Sequence, residues 1–214
     1  LLELRDDWTV GAKTYPAGAL IAADFEGFLK GERRFDVLFE PTDRKSFAGY
    51  SPTLSHILVN ELDNVRNRVY VLPRKDGAWT RAPLPGMPEL GTVSASGVDD
   101  EESDDYFLTV TDYLTPTSLS LGTAGKGPAE KLKQLPAYFD AKGLAVTQHE
   151  VASKDGTRIP YFQVARKDLA LDGKNPTLLY GYGGFEVSEV PRYSPGQGSA
   201  WLEKGGVYVV ANIR

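Results

Sequence analysis

The chain has 214 residues, 41% of them hydrophobic, 11% aromatic and 25% charged, which excludes disorder and collagen and allows a sizeable core without metal or disulfide staples. Lys and Arg number 24 against 29 Asp and Glu, a net charge of -5, and no basic stripe interleaved with aromatics occurs, so nucleic acid is not an expected partner. With Cys at 0 and only His56 and His149, thiol nucleophiles, zinc-thiolate and iron–sulfur centres and a three-histidine metal site are excluded; neither metal nor cofactor is expected.

The chain opens on Leu1-Leu2-Glu3-Leu4-Arg5-Asp6-Asp7, which lacks the layout of a signal peptide, and no run approaches the roughly 18 apolar residues of a membrane span. A membrane partner is therefore not expected. Up to about Leu135 short strands alternate with polar turns and no convincing amphipathic helix, an all-β pattern. His56 to Leu62 and Val65 to Leu72 read as strands about a turn at Asp63-Asn64, with Val65, Asn67, Val69 and Val71 on one face. Arg74-Lys75-Asp76-Gly77 leads into a further strand at Ala78-Trp79-Thr80. Tyr106 to Thr111 and Ser118 to Leu121 flank Leu114-Thr115-Pro116. Sandwiches, barrels and propellers all space turns in this way; four-stranded units of roughly 40–45 residues would fit about three times, which favours propeller blades.

After Leu135 the pattern changes. Ala145 to Val151 and Arg158 to Val164 are strands joined by the Asp-Gly turn of Lys154-Asp155-Gly156-Thr157. Asn175 to Tyr180 reads as a buried strand entering Gly181-Tyr182-Gly183-Gly184-Phe185, Pro195 to Lys204 as a short helix stopped by Gly205-Gly206, and Val207 to Arg214 as a buried final strand. Strand, glycine loop, helix and strand open an α/β layer, which places a domain boundary near 135–142. A natural terminus rarely stops on a core strand, so the chain reads as a piece of a longer protein.

The glycine loop is the most informative segment. Glycines beyond the carboxyl end of an apolar strand let the backbone approach a ligand where open α/β sheets bind and react. The spacing is not that of G-x-G-x-x-G, and a glycine turn whose tyrosines simply pack is the alternative. No G-x-S-x-G elbow is present, and both histidines precede any candidate serine, so His56 and His149 read as packed or solvated residues and no triad lies within the chain. The acidic run Asp99 to Asp105 reads as a solvated turn rather than a calcium site, because it lacks the spacing of an EF-hand loop.

Four segments in order carry a family resemblance: Ser153-Lys154-Asp155-Gly156-Thr157-Arg158-Ile159-Pro160, Leu171-Asp172-Gly173-Lys174-Asn175-Pro176, Leu179-Tyr180-Gly181-Tyr182-Gly183-Gly184-Phe185, and Gly205-Gly206-Val207-Tyr208-Val209-Val210-Ala211-Asn212-Ile213-Arg214. They resemble the prolyl oligopeptidases, densely from about Gly143 and more loosely upstream. The resemblance implies a mixed fold, with residues 1–136 as the C-terminal blades of a seven-bladed β-propeller and 137–214 as the beginning of an α/β-hydrolase peptidase domain. It implies a serine peptidase acting on short proline-containing peptides on the carboxyl side of proline, with the Ser, Asp and His of its triad beyond Arg214 and this chain alone inactive. Gly184-Phe185, where the basic-specific branch of the family has serine and tyrosine, favours proline. The likeness implies Tyr182 as oxyanion donor and Phe185 as a wall of the proline pocket, the other reading of Phe185 being a core residue that holds the loop. A non-catalytic peptide-binding relative of the same architecture is the second function class. The expected partners are the peptide substrate and the remaining part of the same protein; the expected compartment is the cytoplasm, with periplasm and secretion left open.

Overall fold

The computed structural model describes residues 1–185 and 187–213; Arg214, the last residue of the final apolar run, lies outside them. Among the described residues strands predominate and helices are few and short. The first sheet is built from β1 (Leu2–Glu3), β4 (Leu20–Ala22) and β5 (Asp36–Phe39), in the order β1-β4-β5; a separate hairpin of β2 (Trp8–Val10) and β3 (Lys13–Tyr15) comes between β1 and β4 in the chain, and helix α1 (Phe25–Leu29) between β4 and β5. Asp24 caps α1, its carboxylate accepting the Gly27 N–H at 2.6 Å.

The second sheet takes β6 (Lys45–Pro52), β7 (His56–Asp63), β8 (Arg66–Lys75), β9 (Ala78–Trp79) and β10 (Ala82–Pro83), ordered β10-β8-β7-β6 with β9 on the end of β8. In β8 three of the four residues of the predicted face, Asn67, Val69 and Val71, are buried, while Val65 lies outside the strand and is half-buried. Leu20, Ala22, Leu38, Phe39, Ile57, Val59 and Leu72 form one apolar cluster. The β7–β8 turn falls on Asn64 and Val65, both at positive φ, one residue later than the sequence suggests. The shift places a β-branched residue where glycine is preferred, which is why turn chemistry alone misplaces it.

The third sheet runs in sequence order through β11 (Thr92–Gly97), β12 (Asp105–Thr111), β13 (Ser118–Thr123) and β14 (Glu130–Gln134). Its acidic run is absorbed by hydrogen bonds, some within the turn and some to residues distant in sequence. The Asp99 carboxylate accepts the N–H groups of Glu101 and Glu102, Asp105 accepts from Thr123 at 2.7 Å, and Asp104 accepts from His56 Nδ1 at 3.0 Å, Thr53 Oγ1 at 2.8 Å and the Ser55 N–H at 2.7 Å.

The fourth sheet has a different topology. β15 (Leu144–Ala152) and β16 (Arg158–Arg166) form a hairpin whose turn bonds the Gly156 N–H to the Ser153 carbonyl, with Gly156 at φ 86° as the Asp-Gly pair suggests. β17 (Thr177–Gly181) then leads through α2 (Pro195–Gln197) and a π-helical turn, Gly198–Leu202, to β18 (Val207–Ala211). The order is β15-β16-β18-β17, with β17 and β18 parallel. The predicted helix from Pro195 is thus a short α turn that widens and stops at Gly205, φ 85°. A β-carbon on Gly198 would occupy the space of the Phe139 ring, which fixes how closely this turn packs.

One sequence expectation is corrected here. The run from Asn175 to Tyr180, read as a buried strand, is exposed along all of β17, with Leu179 69% exposed. Among the described residues β17 is the edge of the sheet and pairs with β18 alone, so an apolar run marks a strand suited to being covered, not one that these residues cover.

By compactness the chain divides into two units: Leu1–Met87 with Ala95–Phe107 and Gly122–Ala129, and Pro88–Ser94 with Leu108–Leu121 and Glu130–Arg214. No helix among the described residues is long and apolar enough to cross a membrane.

Candidate active-site loop

β17 and β18 run parallel in the register Tyr180 beside Val210 and Gly181 beside Ala211. Their carboxyl ends therefore emerge together, which is where open α/β sheets place their chemistry. The first residue beyond β17 is Tyr182 and the first beyond β18 is Asn212. Asn212 ties the two exits together: its Oδ1 accepts the Glu189 N–H at 2.7 Å and its Nδ2 donates to the Glu189 carbonyl at 3.2 Å. The loop leaving β17 is thus pinned at its far side by a side chain from the neighbouring strand.

Within the loop Tyr182 is 39% exposed, and its hydroxyl makes no hydrogen bond among the described residues. The phenol lies across Gly184; a β-carbon there would stand 2.7 Å from Tyr182 Oη and 2.9 Å from its Cζ. The Val187 N–H donates to the Gly184 carbonyl at 3.2 Å. Phe185 follows at φ 56°, a left-handed conformation uncommon for a side chain of its size, and is 93% exposed. It is therefore not a core residue of this chain. Tyr182 and Phe185 share one loop, with Gly184 between the phenol and the phenyl-bearing backbone.

Beneath the sheet Tyr113 stacks at a tilt on Phe162, 5.7 Å between centroids, and edge-on to Tyr208 at 6.1 Å. Burial pushes the Tyr113 phenol well up, with Tyr208 and Glu189 adding to the shift. Burial likewise raises Tyr208, with Tyr180 and Glu189 adding to it. Both stay protonated at neutral pH and bring no phenolate charge near the loop.

The two histidines are used elsewhere. His56 belongs to the Asp104 network, and His149 stacks on Tyr161 at 5.2 Å with Nε2 2.8 Å from Thr147 Oγ1. No group of three or more His, Asp or Glu suited to a metal ion occurs among the described residues. Sequence reasoning missed Asn212 as the clamp and Gly184 as the bed of the tyrosine. An asparagine directly after an apolar strand is the only local sign of the first; nothing in the spacing announces the second.

No family model matches the chain. It is 43% identical over 214 residues to an uncharacterised peptidase of Sinorhizobium fredii and 33% identical over 216 residues to one of Rickettsia prowazekii, each match covering 99% of this chain. It is 38% identical over 141 residues, 65% of its length, to a prolyl endopeptidase of Elizabethkingia meningoseptica. Among solved structures, a post-proline cleaving enzyme from Rickettsia typhi superposes with a TM-score of 0.84 at 31% identity, across 99% of this chain and 31% of that one. A structure from a study of two prolyl endopeptidases gives 0.73 at 31% identity, covering 84% of this chain and 26% of that one. The chain spans about 29% of the length of the two peptidases it matches along its whole extent.

Proposed function

This chain belongs to the prolyl oligopeptidase family, the family of its homologues and structural neighbours, and from that premise we propose that the protein is a serine peptidase cleaving short peptides after proline. In this reading residues 1–136 are the last blades of a seven-bladed propeller and 137–214 open an α/β-hydrolase domain whose Ser, Asp and His lie beyond Arg214.

The observation that carries the reading is the loop after β17. A hydroxyl with no hydrogen-bond partner among the described residues and an exposed aromatic ring share one loop at the carboxyl edge of a parallel strand pair. When serine adds to a peptide carbonyl, the oxygen gains negative charge, and a preorganised donor stabilises that charge without having to reorient. Tyr182 takes this role, its rigid ring fixing where the O–H points; a backbone N–H after the nucleophile is the second donor in the α/β-hydrolase pattern. Phe185 offers an apolar face to the compact proline ring, a contact that needs no charge.

Tyr182→Phe in the intact protein removes the hydroxyl and keeps the ring. We expect kcat on a Gly-Pro chromogenic peptide to fall about 10²–10³-fold with KM within about threefold and an unchanged melting temperature. A kcat within about threefold of wild type on both a good and a poor substrate overturns the donor role. The second class, a peptide binder without catalysis, is separated by labelling the intact protein with a fluorophosphonate: covalent modification of a serine supports the peptidase.

A further inference from the structure

We propose that Thr92, at the start of β11, is a positioning residue for the proline pocket: its hydroxyl fixes the return limb of the loop that carries Phe185. This rests on the reading of Phe185 as a wall of that pocket. The loop leaves β17 after Gly181 and reaches α2 at Pro195 without a strand or helix among its described residues. Two backbone hydrogen bonds lie within it among those residues, from the Val187 N–H to the Gly184 carbonyl and from the Val190 N–H to the Ser188 carbonyl. A segment with so little pairing of its own takes its position from groups outside it.

Asn212, at the exit of β18, bonds both backbone groups of Glu189. Further along the limb Thr92 Oγ1 donates to the Pro191 carbonyl at 2.6 Å, across 99 positions of sequence. Pro191 is fully buried, and as a proline it has no N–H, so the carbonyl is its sole backbone hydrogen-bonding group. A buried carbonyl needs a partner, and among the described residues Thr92 supplies it. Beyond it the Tyr193 N–H donates to Thr111 Oγ1 at 3.4 Å and its ring stacks on Phe139 at 5.0 Å, which tethers the end of the limb but not the stretch from Glu189 to Pro191. Thr92, Thr111 and the loop fall in one compact unit.

One residue held at both of its backbone groups can still pivot, and a second hold removes the pivot. Glu189 is then a fulcrum, with Pro191 two residues to one side and Phe185 four to the other. Phe185 is 93% exposed, so its ring is placed by the backbone beneath it and not by packing. Tyr182 is the first residue beyond β17 and takes its place from the strand. Releasing Pro191 therefore moves the phenyl wall more than the hydroxyl donor. The consequence is a loss of discrimination, not of chemistry: a wall that drifts covers a proline ring less well, whereas alanine, without the ring, loses little.

The test uses the intact protein and compares Thr92→Val, which keeps the shape of the side chain and removes the hydroxyl, with Thr92→Ser, which keeps the hydroxyl. Each is assayed for kcat and KM on blocked Gly-Pro and Gly-Ala chromogenic peptides beside Phe185→Ala, and amide hydrogen exchange is followed from Val187 to Tyr193. For Thr92→Val we expect KM on the proline peptide to rise about 3- to 10-fold with kcat within about twofold, and little change on the alanine peptide. Exchange in the limb should accelerate several-fold, and Thr92→Ser should behave as wild type. Added to Phe185→Ala, Thr92→Val should bring less than about twofold further loss. An unchanged proline preference in Thr92→Val, when Phe185→Ala has lost it, overturns the proposal and leaves the pocket reading standing. An unchanged preference in Phe185→Ala overturns the pocket reading, and the positioning role with it. Parallel losses on both peptides, a Thr92→Ser no better than Thr92→Val, or a Thr92→Val protein that does not fold each overturn the proposal, because Thr92 then serves the fold at large.

Discussion

Val65 sits at φ 64° directly after Asn64 at φ 51°, so the β7–β8 turn has the two left-handed residues of a tight hairpin with valine in the place glycine usually fills. A non-glycine residue in this region costs roughly 1–2 kcal/mol, and branching at Cβ does not ease it. Val65 is only half-buried, so little packing is lost on truncation. Val65→Gly should therefore stabilise by about 1 kcal/mol, after the greater freedom of glycine in the unfolded chain is allowed for. A lower melting temperature for the variant counts against the strain. The Asp104 carboxyl makes a different kind of statement. Burial pushes its ionisation up, but hydrogen bonds from His56, the Ser55 N–H and Thr53, with the charge of His56, outweigh burial and hold it at about 2 against an ordinary 3.8. Because the folded value is the lower one, this stabilisation is complete above pH of about 4 and is lost as pH falls through about 2. Its size at neutral pH is about 1–2 kcal/mol once solvent access is allowed for. Asp104→Asn should melt earlier than wild type at pH 7, and the gap should close in acid. A gap that stays constant down to pH of about 2 removes the carboxylate as its source.

At the scale of elements, the exits of β17 and β18 are joined by one amide, and Asn212→Ala removes both of its bonds to Glu189. Each bond contributes about 0.5–1.5 kcal/mol, and the orphaned Glu189 groups can turn to water, so the loss should appear as local opening, not global unfolding. Amide hydrogen exchange at Val187 to Val190 should accelerate several-fold in Asn212→Ala, with exchange in β16 unchanged; acceleration spread over the whole sheet contradicts a local clamp. This contact was not legible in the sequence, because a side chain bonding the backbone 23 positions away leaves no periodicity. The His56–Asp104 pair, 48 positions apart, was hidden for the same reason. What the sequence did convey were features with local causes. Asp76-Gly77, at φ 52° and 79°, and Gly156 made their hairpins visible through turn chemistry. The alternation of β8 gave its buried face, and the glycine loop drew attention to Tyr182 and Phe185. The exposure of β17 was not readable, since an apolar run reports what a strand is suited to and not what stands beside it.

At the scale of the molecule, the chain passes from a second and third sheet whose main strands neighbour each other in sequence order to a fourth whose order, β15-β16-β18-β17, does not follow the sequence. In the second and third sheets each main strand can pair with the one just made. β17 has no such option. Its one partner among the described residues, β18, begins 26 positions after β17 ends and also pairs with β16, through Tyr161 to Val164 opposite Ala211 to Tyr208. During synthesis at about 5–20 residues per second, Leu178, Leu179 and Tyr180 leave the ribosome seconds ahead of the strand that completes their hydrogen bonds. β18 is thus the keystone of translation order as well as of sheet order, since until it is made the apolar β17 has no partner strand among the described residues.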